Sequence, residues 1–292
     1  MMSELDPYLI PALDGVAYGL LLFVVAAGLV LSFGVAGILN LAHGTLYAIG
    51  AYVAAWLADG GWAALPLALV AGVAASTAAG TVMAGLLTPV KRGDHLTQAL
   101  LTFGLALAGG SLLVSAFGPE DLPVRVPAAL DRPINLAGHS YAAYRLVFIL
   151  VAAVIAVGLY LTVTRTRAGM LVRAAVDDPQ MVACLGVNPT AVRIGVLAAS
   201  GALAGLAGVL GAPIIGPGPS TAATVLLLSL VVVVLGGLNS VVGTLLAALA
   251  VGEIQTLGVA LLPTAAPFLL YAAMALILAA RARGLLRRWS TA

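Results

Sequence analysis

The 292-residue chain is 62% hydrophobic and only 8% charged, with a formal net charge of +2. A soluble domain carries about 25% charged residues, so this composition excludes an ordinary soluble protein and requires a surface that faces lipid. The apolar stretches run unbroken instead of alternating, which excludes a β-barrel and leaves helices as the spanning form. No basic patch interleaved with aromatics points to nucleic acid, and the single Cys184 supports no internal disulfide framework.

The N-terminal segment, Met1 to Leu9, is acidic and lacks the basic start of a signal peptide, so the first apolar run is expected to be retained. A hydrocarbon core about 30 Å thick needs about 20 apolar residues as helix. Runs of this kind are 12–33, 45–58, 63–88, 96–117, 144–163, 191–212, 223–238, 241–262 and 264–281, of which 45–58 and 223–238 are short. The fold class expected is therefore all-α, a polytopic transmembrane bundle of eight or nine spans with short broken helices, forming one transmembrane domain over 1–292. Basic residues cluster at Lys91 and Arg92, at Arg165, Arg167 and Arg173, and at Arg281, Arg283, Arg287 and Arg288. The positive-inside bias puts all three clusters in the cytoplasm, with the N-terminus outside and the C-terminus inside. Nine spans satisfy this; eight require a re-entrant short run or an N-terminus on the other side.

Three segments carry the functional signal. The first is Gly34 to Gly44, with Tyr47 beyond it. Its glycines loosen the helix, and Asn40 reads as an N-cap for the short helix that follows. Irregular backbone at membrane depth is tolerated only against protein or a water-filled cavity. Unpaired N–H groups at Asn40 to Ala42 would suit a carboxylate there, with His43 adding a hydrogen bond. Asn40, His43, Gly44 and Tyr47 are thus candidate pathway residues, the other reading being a cytoplasmic turn with a plain cap. The short run 223–238 follows a second Gly/Pro-rich stretch, Gly216 to Pro219, and paired interruptions of this kind point to a transport site.

The second segment, 164–190, is charged and cytoplasmic by this topology. Asp178 followed by Pro179 opens a short helix, and Asn188-Pro189 starts the next span. Arg167, Gly169, Arg173, Asp177, Asp178 and Gly186 are candidates for coupling to a motor domain; the alternative is a basic anchoring loop. In the third segment, Gly236 and Gly237 break the chain between two apolar runs. Glu253 lies well inside 241–262, where a carboxylate faces a partner, a cavity or the bundle interior, or else snorkels. Gly236, Gly237 and Glu253 complete the pathway candidates. The His residues and Cys184 are too scattered for a metal site. Hydrolase signatures and a phosphate-binding loop are absent, so ATP, if used, is bound elsewhere.

Asn40-Leu-Ala-His-Gly44 with Gly50-Ala-Tyr52, then Asp94-His-Leu, Gln98 and Leu101-Thr-Phe-Gly104, the loop residues above, and Leu235-Gly-Gly-Leu with Ser240 and Gly243 together resemble the branched-chain amino acid permease family of ABC importers. Asn239 departs from the glycine usual in that family. The resemblance implies a non-catalytic permease subunit of a bacterial inner-membrane importer working by alternating access. It also implies a second homologous permease, two ATP-binding subunits that use ATP and Mg, an extracytoplasmic substrate-binding protein, and surrounding membrane lipid. Relatives serving urea, short amides or small carboxylates are not separated by these motifs. A passive channel and an intramembrane enzyme are the competing classes, and the sequence carries neither a selectivity filter nor a catalytic constellation.

Overall fold

The computed structural model describes residues 6–90, 93–136, 139–177, 179–237 and 240–282. Nine helices among them match the nine apolar runs. They are α1 (Asp6–Val30), α2 (His43–Leu57), α3 (Ala64–Leu87), α4 (His95–Phe117), α6 (Ala143–Arg165), α9 (Pro189–Gly211), α10 (Thr221–Gly236), α11 (Val241–Leu261) and α12 (Ala266–Ala282). Between them lie α5 (Ala128–Asp131), the hairpin of β1 (Pro133–Leu136) and β2 (His139–Ala142), and two helices of the charged loop, α7 (Arg167–Asp177) and α8 (Pro179–Cys184). Six of the nine are long and apolar enough to cross a membrane, so the protein is a multi-pass helical membrane protein. The 16 residues of α10 span only about 24 Å. The calls at Lys91, Arg92, Asp178, Asn239 and the arginines beyond Ala282 fall outside the described residues.

Apolar burial does not drive helices together in lipid, where close packing of small residues does. Two such seams organise the bundle. Gly15 and Gly19 of α1 pack on α11 at Glu253 and Ala248, while Gly72, Ser76 and Gly80 of α3 pack on α9 at Val209, Gly205 and Gly201. In both, residue numbers rise on one helix as they fall on the other, so the pairs are antiparallel.

The pairings repeat in the two halves of the chain. α1 lies along α11 as α9 lies along α3, α10 packs on α1 as α2 packs on α9, and α12 sits on α10 and α11 as α4 sits on α2 and α3. α1 and α9 themselves meet antiparallel, with Leu21 against Gly211 and Gly28 against Ser200. The chain therefore contains two inverted four-helix halves, α1–α4 and α9–α12, joined through α6.

This inversion sorts the loops. At one end of the bundle Arg145 pairs with Asp14 at the start of α1, the Tyr144 hydroxyl donates to the Leu210 carbonyl at 2.5 Å, and Leu122 N–H bonds Pro217 O. At the other end the Arg193 guanidinium bonds Leu87 O, and α7 rests on the last turn of the α1 rod. The start of α1 and the charged loop before α9 thus occupy opposite ends. Asp94 caps α4 by accepting from Thr97 N–H, and hydrogen bonds from the Thr97 side chain and then its N–H hold the Asp94 carboxyl below the usual carboxylate range.

Candidate functional site

α1 does not end as an ordinary helix. Leu31–Val35 forms a π turn, closed by Ala36 N–H to Leu31 O. Gly37, at φ +64°, then reverses the chain, a conformation that costs other residues about 1–2 kcal/mol. The returning segment 38–42 climbs back alongside the helix it has just left. His43, the first residue of α2, meets Val25 O at 2.9 Å, two to three turns above the end of the π segment. α2 therefore begins inside the bundle. The broken helix expected from Gly34 to Gly44 is present, and it is re-entrant.

Part of the backbone of this segment is paired. Leu41 N–H donates to Thr102 Oγ1 of α4 at 3.2 Å, Ala42 N–H to Asn40 Oδ1 at 3.0 Å, and His43 N–H to Asn40 O. The expectation that Asn40 to Ala42 offer unpaired N–H groups is corrected for Leu41 and Ala42, while Asn40 N–H has no acceptor among the described residues. Asn40 is also not the N-cap, a position taken by Ala42 without a side-chain cap. The amides of Gly44 and Thr45, one position further into α2, also have no acceptor among the described residues.

α10 begins in the same place. A Cβ on Gly44 would strike Ala222 O and the side chain of Leu226, so the first turns of the two short helices pack directly on each other. The N-terminus of α10 is likewise without a side-chain cap, and the amides of Ala222 and Ala223 have no acceptor among the described residues. The two interruptions paired in the sequence are thus brought together in space.

A cavity of about 580 Å³ opens beside this junction, walled by Thr45, Ala222, Ala223 and Leu226 and by Phe103, Leu107, Ser111 and Ser115 along α4. Elsewhere in the spans hydroxyls back-bond to main-chain carbonyls, as at Ser76, Thr77, Ser200, Ser229, Thr244 and Thr256. Ser111 and Ser115 make no such bond among the described residues, so both offer a free donor and acceptor to the cavity.

The predicted pathway residues divide three ways. Asn40, His43, Gly44 and Tyr47 gather at the start of α2, yet they form its buried back and not the cavity wall. His43 is fully enclosed, with Nε2 on Val25 O and Nδ1 3.4 Å from Ser200 Oγ, itself bonded to Gly28 O. It ties α1, α2 and α9. Gly236 and Gly237 form the α10–α11 turn, where Gly236 lies against Thr244 and Gly237 takes φ +91°. Glu253 packs on Gly15, ten residues from Val25 and so about 15 Å away along α1. Neither of these two groups joins the first. Thr45, Ser111, Ser115, Ala222 and Ala223, which the sequence reading did not single out, make the wall.

In the charged loop, Gly169 fits against the carbonyls of Thr162 and Val163 at the α6–α7 corner, and Arg173 donates to Val163 O. Gly186, at φ +82°, ends α8, and Asn188 caps α9 by accepting from Thr190 and Ala191 N–H. Arg167 is exposed and Asp177 closes α7. Met170, Met181 and Leu185 are exposed on this end of the bundle.

A family model described as branched-chain amino acid transport system / permease component matches residues 12–280. The chain is 27% identical to the high-affinity branched-chain amino acid transport permease BraD of Pseudomonas aeruginosa, covering 88% of each chain. It is 25% identical to LivH of Escherichia coli K12 over 90% of each, and 31% identical to LivM of Salmonella typhimurium over 77% of this chain and 58% of that one. No solved structure gives a significant match.

Proposed function

Because the chain belongs to the branched-chain amino acid permease family, we propose that it forms one half of the membrane pathway of an ABC importer for branched-chain amino acids. The observation that carries this reading is the cavity at the α2–α10 junction. Two uncapped helix starts bring partial positive charge and open amides to membrane depth, where a substrate carboxylate is stabilised. Phe103, Leu107 and Leu226 supply apolar surface for an aliphatic side chain, and Ser111 and Ser115 supply neutral hydrogen bonds.

Its similarity to both LivH and LivM supports a partnership with a second, homologous permease. The remaining partners are two ATP-binding subunits, which bind ATP and Mg, and an extracytoplasmic binding protein. The chain crosses the bacterial inner membrane nine times, with its N-terminus outside. Placing the charged loop in the cytoplasm lets α7 and α8 receive motor movement, and α7 passes it to the π turn of α1 on which it rests.

The test is uptake of radiolabelled leucine, isoleucine and valine by proteoliposomes holding the assembled permeases and ATPases, with binding protein added outside the face opposite the motors. Uptake requiring ATP is expected. Uptake that proceeds without ATP or motor subunits would show a channel instead.

A further inference from the structure

A second cavity, also of about 580 Å³, lies on the other side of α10, between it and α11, α12 and α1. Tyr18 of α1, Thr224 of α10, Gln255 of α11 and Tyr271 of α12 all line it. None of the four side chains has a hydrogen-bond partner among the described residues, and Thr224, like Ser111 and Ser115, lacks the bond to a main-chain carbonyl that Ser229, Thr244 and Thr256 make. Tyr18 and Gln255 are partly buried and Thr224 and Tyr271 are exposed. Four polar side chains from four helices thus converge on one cavity with their hydrogen-bonding capacity open to whatever occupies it. The rest of the wall is aliphatic, including Leu227, Val231, Leu270 and Met274.

We propose that this cavity is a second solute-binding station, taking a small zwitterion with an aliphatic side chain. The hydroxyls and the Gln255 amide offer donors to a carboxylate and acceptors to an ammonium group, without a fixed charge that would trap either. The apolar wall takes the side chain, in the usual division of a ligand pocket. α10 walls both cavities, through Ala222, Ala223 and Leu226 on one side and Thr224, Leu227 and Val231 on the other. A shift of this one short helix would close one station as it opens the other. The proposal rests on the import function argued above and adds a place to it.

The test uses the complete assembly in nanodiscs and a diazirine analogue of leucine as photoprobe, with labelled peptides mapped by mass spectrometry. Label is expected on α12 between residues 270 and 274, and excess leucine should displace it. In the double variant Thr224→Val with Gln255→Leu, label at α12 and leucine import should both fall, about thirtyfold for two hydrogen bonds worth about 1 kcal/mol each. Restoring Thr224→Ser in the Gln255→Leu background should recover part of both. Label confined to α4 between 103 and 115, in an assembly that imports leucine normally, would overturn the second station while leaving the import function standing. Label at α12 that leucine does not displace would mark the groove as a lipid seat and overturn it equally. A wild-type assembly that fails to import leucine would count instead against the substrate reading.

Discussion

Gly44 lies against the carbonyl oxygen of Ala222 so closely that a single methyl group would force the two short helices apart. The start of α2 and the start of α10 are thus fixed on each other, and the cavity beside them depends on that contact. Gly44→Val is expected to abolish leucine uptake, and Gly44→Ala to reduce it. Overpacking of this kind costs about 1–3 kcal/mol, so the thermal midpoint of the purified protein should fall in the same order. Normal uptake by Gly44→Val would remove the junction from the pathway.

Accessibility separates the wall from its backing. In a Cys184→Ser background, needed because Cys184 is exposed, cysteines at Ser111 and Ala223 should react with a water-soluble thiol reagent in at least one transport state. Cysteines at Asn40 and His43 should stay unreactive in all of them, since both positions are fully buried. The reverse pattern would turn α2 around.

His43 acts as a strut. His43→Ala removes the donor to Val25 O and leaves space beside Ser200, and stranding buried polar groups costs about 1–3 kcal/mol each. The variant should be less thermostable than Ser200→Ala, which loses only the tie to Gly28 O and the weaker approach to the ring. A melt that ranks the two in the opposite order would contradict this.

At the end of the bundle that carries the charged loop, Gly169→Val would push its side chain into the carbonyls of Thr162 and Val163 and open the α6–α7 corner. Gly186→Val would force a β-branched residue into a left-handed conformation. Each variant should insert and assemble, yet hydrolyse ATP without import. ATPase and uptake measured on the same proteoliposomes check this, and tightly coupled transport in both variants would show that the loop is only an anchor.

The Asp14–Arg145 pair fastens α6 to α1. Asp14→Asn and Arg145→Met should each destabilise the protein more than the double variant does, because each alone leaves a charge unmatched in a partly buried place. A double-mutant cycle on thermal midpoints measures the coupling.

Much of this was legible in the sequence. Nine apolar runs became nine helices because unbroken hydrophobic length is a strong local signal, and Pro179 and Asn188-Pro189 marked helix starts that the structure places there. The paired breaks before α2 and α10 were readable from their glycines and prolines. Which face of α2 turns to the cavity was not, because every side of that helix is apolar or small. Hence His43 and Tyr47 were chosen for their chemistry, while Thr45 and the serines of α4 passed unnoticed. The inverted repeat was hidden for a related reason. Its signature is a four-residue spacing of small residues, Gly15 with Gly19 and Gly201 with Gly205, in a chain holding 34 glycines. Glu253 stood out as a charge, but packing against Gly15 took it to another part of the bundle.

α6 is among the least embedded of the long helices, and its outward side is a run of aliphatic residues such as Val147, Leu150, Val154 and Val157. Its value is one of parity. A unit of four helices starts and finishes at the same end of the bundle, so two such units placed one after the other would stand side by side in the same sense. One intervening helix turns the second upside down, and only then can α9 run against α3 and α11 against α1. The outward side chains of α6 should therefore tolerate wide exchange among apolar residues, whereas removal of the helix would leave each half folded the wrong way up beside the other.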